Sequence, residues 1–188
     1  MKLYELVKMI CLSFLALVCG WLLLYSSIPL LVGLAAWLKP APPEPEITYA
    51  EFDFRLDYEV DGKPQTYEDV LVCEYTGYEV NWGLGKIRTW NDYNKSTGDD
   101  SKIYLHQLDE TKYITLGIGT AEYFMDDPDV DYVPDNPYIS VYNSATGYYL
   151  GGTQEEIALL EGCGFKVLDW YCDPPIENTY KYYWSRIF

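Results

Sequence analysis

Histidine is almost absent from this chain, with His106 the only one in 188 residues. One imidazole cannot build a multi-histidine zinc site, and no H-E-x-x-H occurs. The G-x-S-x-G elbow that would give His106 a serine nucleophile is missing as well. Gly83-Leu84-Gly85-Lys86 has the glycines of a phosphate loop but not its G-x-x-x-x-G-K-[ST] spacing, and Ile87 follows the lysine. Cysteine is scarce and oddly counted. Of the five, Cys11 and Cys19 fall in an apolar run and act there as small apolar residues. Cys73, Cys163 and Cys172 remain, and three thiols cannot form a complete disulfide framework without a partner chain. Two readings stay open: one bridge, with Cys163–Cys172 closing the least demanding loop, or three separate buried thiols.

Positive charge is also in short supply. Lys and Arg number 13 against 29 Asp and Glu, a net charge of −16. Beyond residue 38 the balance is 11 against 28, or −17. Such a surface repels DNA, RNA and anionic lipid, and leaves cationic ligands, divalent metals or a basic partner protein as its natural company.

What the chain does have is thirty consecutive residues without a charge, Met9 to Leu38. A bilayer core of roughly 30 Å needs about 20 apolar residues as helix. A cleaved signal peptide has an apolar core of roughly 7–15 residues, about half this length. A soluble helix would need one face for water. The run therefore reads as an uncleaved signal-anchor spanning residues 9–38. Pro29 is tolerated there because neighbouring groups, the hydroxyls of Ser26 and Ser27 among them, can re-satisfy the backbone it frees. Lys2 and Lys8 precede the span and Lys39 follows it, so the positive-inside rule sets residues 1–8 in the cytoplasm and the remainder outside. Residues 39–46, KPAPPEPE, read as a polyproline spacer reaching roughly 20–25 Å. Residues 47–188 form an acidic, aromatic-rich domain of a size that suits one core.

Within that domain Phe52, Phe54, Leu56, Tyr58 and Val60 alternate with Asp53, Arg55, Asp57 and Glu59. Period two with one dry face is an antiparallel strand on a core. Asp61-Gly62 then signals a two-residue hairpin, returning through Lys63–Tyr67 into Val70–Tyr75. A strand is expected at Lys86–Trp90 and a loop over NDYNKSTGDDS. Further hairpins pair Ile103–Leu108 with Tyr113–Ile118 and Tyr138–Tyr142 with Tyr148–Leu150. Tyr123–Met125 reads as a short strand end, and the proline- and aspartate-rich residues 126–137 as irregular. Thr153-Gln154-Glu155-Glu156 is a capping box opening a helix that Gly162 or Gly164 stops. Phe165–Tyr171 is a last strand before Pro174-Pro175. The fold class is mainly β, an antiparallel sandwich or barrel-like domain with one short α-helix, behind a single N-terminal transmembrane helix.

One constellation invites a ligand. Asp127-x-Asp129-x-Asp131, with Asp135 beyond, offers alternate carboxylates on one side of a flexible loop, as calcium prefers. It is not an EF-hand, because Tyr132 stands at the glycine position and Tyr138 at the bidentate glutamate position. A structural Ca2+ site at Asp127, Asp129, Asp131 and Asp135 is set against a plain solvated acidic loop, which the composition favours. No catalytic residue is nominated. The expected function is a membrane-anchored extracytoplasmic binding or protein-interaction module, non-enzymatic. The alternative is an accessory subunit acting on another membrane protein through its helix, with Cys19-Gly20 and Gly33 to Ala36 offering close approach. A carboxylate-dependent glycan hydrolase ranks third, since sequence separation does not place two carboxylates across a cleft.

Overall fold

A computed structural model describes residues 3–81, 85–98, 102–130, 133–134 and 137–181. In chain order the elements are helix α1 (Leu3–Leu38), strands β1 (Glu44–Pro45), β2 (Tyr49–Val60), β3 (Lys63–Asn81), β4 (Gly85–Asn94), β5 (Ile103–Gln107) and β6 (Lys112–Gly117), helix α2 (Ala121–Phe124), strands β7 (Tyr138–Asn143) and β8 (Tyr148–Tyr149), helix α3 (Gln154–Gly162), and strands β9 (Lys166–Cys172) and β10 (Tyr180–Lys181). They divide into two compact units, one of Met1–Pro42 with Tyr78–Ile87 and one of Pro43–Gly77 with Arg88–Phe188.

The first unit is built on α1, which continues through Pro29. Leu12–Leu38 is long and apolar enough to cross a bilayer by length and composition. The end of β3 and the start of β4 pack with the end of this helix. Lys86 Nζ stands over the rings of Tyr78 at 5.3 Å and Trp37 at 6.0 Å, which places a cation against two negative π faces. Gly85, at φ +103°, leaves the space that the Lys39 side chain fills. Any Cβ there would collide with that side chain.

The second unit is a sandwich of two four-stranded antiparallel sheets, ordered β4-β3-β2-β9 and β5-β6-β7-β8, with a small β1-β10 pair. Its centre is the alternating strand. Phe52, Phe54, Leu56, Tyr58 and Val60 are all buried, while the charged residues between them face water or its edge. Burial of each such side chain stabilises the fold by roughly 1.5–3 kcal/mol. The β2–β3 hairpin turns at Asp61 and Gly62, both at positive φ (51° and 70°), with Val60 paired to Lys63. That is a primed turn, whose twist matches the strands it joins. Ile103, Leu105, Ile114 and Leu116 from the second sheet close the core together with Ile118, Phe124 and Met125. Phe52 and Phe124 meet at 4.8 Å between centroids.

α3 begins as its sequence implies, with Thr153 Oγ accepting from the Glu156 N–H at 3.1 Å. The Glu156 carboxylate does not turn back on the cap residue. It accepts from Gly152 N–H at 2.7 Å, Ser140 Oγ at 2.6 Å and Val141 N–H at 2.7 Å. β8 pairs with β7 only at Tyr142 and Asn143, so Glu156 supplies an acceptor where that strand has run out. Gly164 at φ +63° follows the helix.

Three local expectations are corrected. Asn91–Asn94 belong to β4 rather than to a loop, because β4 runs beside the 19-residue β3 and keeps its alternation to Asn94. Ala121–Phe124 is a helical turn, not a strand end, with Glu122 in the favourable first turn after extended Thr120. The proline-rich spacer is shorter than residues 39–46, since Glu44 and Pro45 pair with Lys181 and Tyr180. Asn178 fixes that junction, accepting from Ile47 N–H at 3.1 Å and donating to Ile47 O at 2.9 Å.

The alternating faces of β2 set one test. In urea denaturation of the full chain in micelles, Phe54→Ala should cost about 3–5 kcal/mol and Leu56→Ala about 2–5 kcal/mol. Glu68→Ala, on the wet face opposite Arg55, should leave the midpoint where it is. Comparable losses at all three would contradict the assignment of faces.

Candidate functional site

The inward side of β4 carries polar groups along its length. Arg88, Trp90, Asp92 and Asn94 recur every second residue, so they share one face of the strand. This is where the acidic segment after α2 docks. Arg88 Nε donates to Asp127 Oδ2 at 2.8 Å and its Nη2 to Asp127 Oδ1 at 2.7 Å, a bidentate pair whose side chains are each 2 % exposed. The same Nη2 reaches Asp129 Oδ2 at 2.6 Å, and Nη1 donates to the Pro43 carbonyl at 3.4 Å. Trp90 Nε1 donates to Asp127 Oδ2 at 2.8 Å, and the Asp129 N–H to Asp127 Oδ1 at 3.0 Å. The Tyr180 ring covers the guanidinium at 4.6 Å, and its hydroxyl donates to the Met125 carbonyl at 2.9 Å.

Burial works against ionisation of Asp127, but the hydrogen bonds from Arg88, Trp90 and the Asp129 amide, with the Arg88 charge, hold its pKa below the usual carboxylate range. Arg88 is affected first by burial, which disfavours its charge, yet the Asp127 partner leaves its pKa raised. A carboxylate has about four acceptor positions, and Asp127 uses all of them within the protein. Of the four residues expected to hold calcium, Asp127 and Asp129 are brought together by a guanidinium, while Asp131 and Asp135 lie outside the described residues. Among the described residues no group of three or more His, Cys, Asp or Glu is arranged to hold a metal ion.

Further along the same strand face is a cavity of about 250 Å3, lined by Leu71, Asp92, Asn94, Ile103 and the segment Gly117 to Thr120, with Pro134 and Tyr138. Asn94 is 3 % exposed. Its Oδ1 is buried and accepts no hydrogen bond from the protein among the described residues. An unpaired buried acceptor of this kind costs roughly 1–3 kcal/mol.

A third feature lies on the outer side of the second sheet. Tyr104 meets Tyr113 at 5.2 Å and Tyr142 at 6.3 Å, and Tyr142 meets Tyr149 at 5.2 Å. Register explains the cluster, since Tyr113 pairs with Tyr142 and Tyr142 with Tyr149 across adjacent strands. Lys102 Nζ lies 4.1 Å over the Tyr142 ring and 5.9 Å from that of Tyr149. Tyr104 and Tyr149 are about half exposed.

The remaining candidates have quieter places. His106 Nε2 is 3.9 Å from the Asp61 carboxylate. Cys19, Cys73, Cys163 and Cys172 are free thiols. Burial, followed by the nearby Asp92 charge, pushes the Cys73 thiol far up, and burial brings Cys172 to about 11, which removes both from thiolate chemistry at neutral pH. The sequence reading overlooked Arg88, Trp90 and Asn94; the signal was the alternation R-x-W-x-D-x-N, obscured because its second half reads as turn chemistry.

Comparison with known proteins finds no family model, no curated protein and no solved structure that matches this chain.

The Arg88–Asp127 pair sets a second test. Asp127→Ala leaves a buried guanidinium with Asp129 as its one carboxylate, and should destabilise the chain by about 3 kcal/mol. Replacing both partners with Arg88→Met and Asp127→Leu should cost less. The pH dependence has a defined sign. Because the folded pKa of Asp127 is depressed, its contribution is complete above the unfolded value of about 3.9 and is lost as pH falls through the folded value. Denaturation midpoints followed from pH 7 downward should therefore drop below about pH 4, and drop less steeply in Asp127→Ala.

Proposed function

We propose that the chain is a membrane-anchored protein-interaction module without enzymatic activity. In this reading α1 is its anchor, residues 1–8 are cytoplasmic, and the sandwich works outside the cytoplasm, as the lysines on either side of the span suggest. The observation that carries the reading is the tyrosine face of Tyr104, Tyr113, Tyr142 and Tyr149 with Lys102. Tyrosine brings a large contact area with few rotatable bonds and a polar tip, and it is enriched at recognition surfaces. The excess of acid elsewhere on the domain suits a partner with basic groups around the contact.

A second reading, an accessory subunit that acts through its helix, is favoured by one feature of the first unit. Leu30, Gly33, Leu34, Trp37 and Val80 line an apolar recess of about 440 Å3, a shape into which a neighbouring membrane helix could fit. Exchanging residues 9–38 for an unrelated span separates the two readings. The exchange should leave partner binding intact if the sandwich carries recognition, and abolish it if the helix does.

Protease added to intact cells tests the placement. The domain beyond Lys39 should be cut away, whereas protection that ends only on lysis would overturn the extracytoplasmic assignment. Recognition is tested with a partner cross-linked on intact cells. Tyr142→Ala should weaken its binding by at least about tenfold, and Tyr171→Ala, on the other sheet, should leave it unchanged.

A further inference from the structure

We propose that the end of α1 and the end of β3 form a site for one phospholipid, with an acyl chain in the apolar recess between them and the phosphate against Lys86. The proposal rests on the reading of α1 as a membrane anchor, and it gives to lipid the recess that the accessory-subunit reading gives to a neighbouring helix.

The length of the span sets the depth of the recess. Thirty uncharged residues, Met9 to Leu38, make about 45 Å of helix, whereas a hydrocarbon core of roughly 30 Å needs only about 20 of them. Counted from Lys8, the core is crossed by about Ile28, and the residues that follow stand among the headgroups. Leu30, Gly33, Leu34 and Trp37 lie in that surplus. Offsets of three, four and seven residues from Leu30 put them on one stripe of the helix, about 10 Å long, and Val80 of β3 walls it. No charged side chain lines the recess, and Leu30, Leu34 and Trp37 are exposed. Such a stripe continues the hydrocarbon outward, and an acyl chain rising past Leu30 stays out of water along it.

The outer end of the stripe supplies the headgroup contact. Trp37 ends the recess and is also one of the two rings beneath the Lys86 ammonium, at 6.0 Å, with Tyr78 at 5.3 Å. Tryptophan and tyrosine are the side chains favoured at headgroup depth. Ring faces take up none of the three N–H donors in the way an acceptor oxygen would. Lys95, Lys112 and Lys166 each meet a carboxylate, but among the described residues Lys86 meets none. Lys39, whose stem lies against Gly85, adds a second positive charge at that end. Cations beside an apolar stripe are matched by an anion that brings hydrocarbon with it. A phosphodiester carrying acyl chains is such an anion; free phosphate brings no hydrocarbon, and an apolar helix brings no anion. The volume of about 440 Å3, or roughly fifteen water volumes, suits a single chain.

The test uses the full chain in dodecylmaltoside micelles, read by native mass spectrometry. The probes are dioleoylphosphatidylcholine and dioleoylglycerol, which lacks the phosphate. Phosphatidylcholine should add one copy per chain and saturate, and dioleoylglycerol should bind at least about tenfold more weakly. Lys86→Ala should weaken phosphatidylcholine at least about tenfold and leave dioleoylglycerol unchanged, while Lys86→Arg keeps the parent affinity. Leu34→Trp, which fills the recess, should weaken both lipids. Lys95→Ala, at a lysine paired with Glu51, should change neither. Absence of a saturable adduct, equal binding of the two lipids, or a Lys86→Ala variant that binds as the parent does would each overturn the site. So would a dimer of the chain that Leu34→Trp disrupts and added lipid does not, since a helix would then fill the recess. Alkaline carbonate extraction of cell membranes tests the anchor separately. A chain that stays in the membrane yet binds no lipid loses this site alone, whereas a chain that is released loses the anchor and the site together.

Discussion

Burying the guanidinium of Arg88 would cost several kcal/mol if it were left alone, and much of the second unit is arranged so that it is not. Asp127 meets it with both oxygens, Asp129 with one, Pro43 with a carbonyl and Tyr180 with a ring. These groups come from the start of the domain, from the segment after α2 and from the last described strand. Distant parts of the chain are therefore tied to one strand by one side chain. Asp127 gains its own remaining partners from Trp90 and the Asp129 amide, which fixes the turn after α2 and, with it, the chain direction out of the core. Neither ion is satisfied without the other, so the acidic segment cannot leave β4 without exposing a buried charge.

The parts of the fold that could be read from sequence are those governed by local rules. Strict alternation from Phe52 to Val60 fixes the inner face of β2, and Asp61-Gly62 fixes its turn, because both depend on neighbours two residues away. Thr153 and Glu156 mark the start of α3 for the same reason. Elsewhere a distant partner decides. Asn91–Asn94 carry turn-forming residues, yet β3 offers them a ladder and they extend. Glu44-Pro45 reads as spacer, yet Tyr180 and Lys181 arrive from the far end of the sequence to pair with it. The acidic run after α2 reads as a solvated loop with calcium as the alternative, yet Asp127 and Asp129 are bound by a guanidinium. Its cation is a side chain some forty residues earlier in the sequence, and no local pattern names it. The tyrosine face was legible only as a composition, since its assembly needs the pairing of four strands.

Polar groups inside the unit are with few exceptions matched donor to acceptor. Glu156 receives three donors at the edge of β7, Asp127 receives four, and Asn178 both donates to and accepts from Ile47. Against that background Asn94 Oδ1 is conspicuous among the described residues. A leucine of similar size would fill the same strand position without the desolvation penalty, and the rest of the core does use such residues. The position is polar on the one face of the strand that looks into a cavity. Its side-chain oxygen has essentially no accessible surface, so it is enclosed by the packing around it rather than turned to the cavity.

The basic residues show how the acidity works. Arg55 pairs with Asp57, Lys95 with Glu51, Lys112 with Asp109 and Lys166 with Glu59. Such exposed pairs add little to stability, but each one withdraws a positive charge from the surface. Arg88 is spent inside, and Lys86 and Lys102 are spent over aromatic rings. The field left to solvent is negative, and screening confines it to roughly 8 Å at physiological ionic strength. At that range it acts on groups close to the surface rather than from afar. On the tyrosine face Lys102 offsets the field locally, and the half-exposed rings of Tyr104 and Tyr149 present apolar surface to solvent.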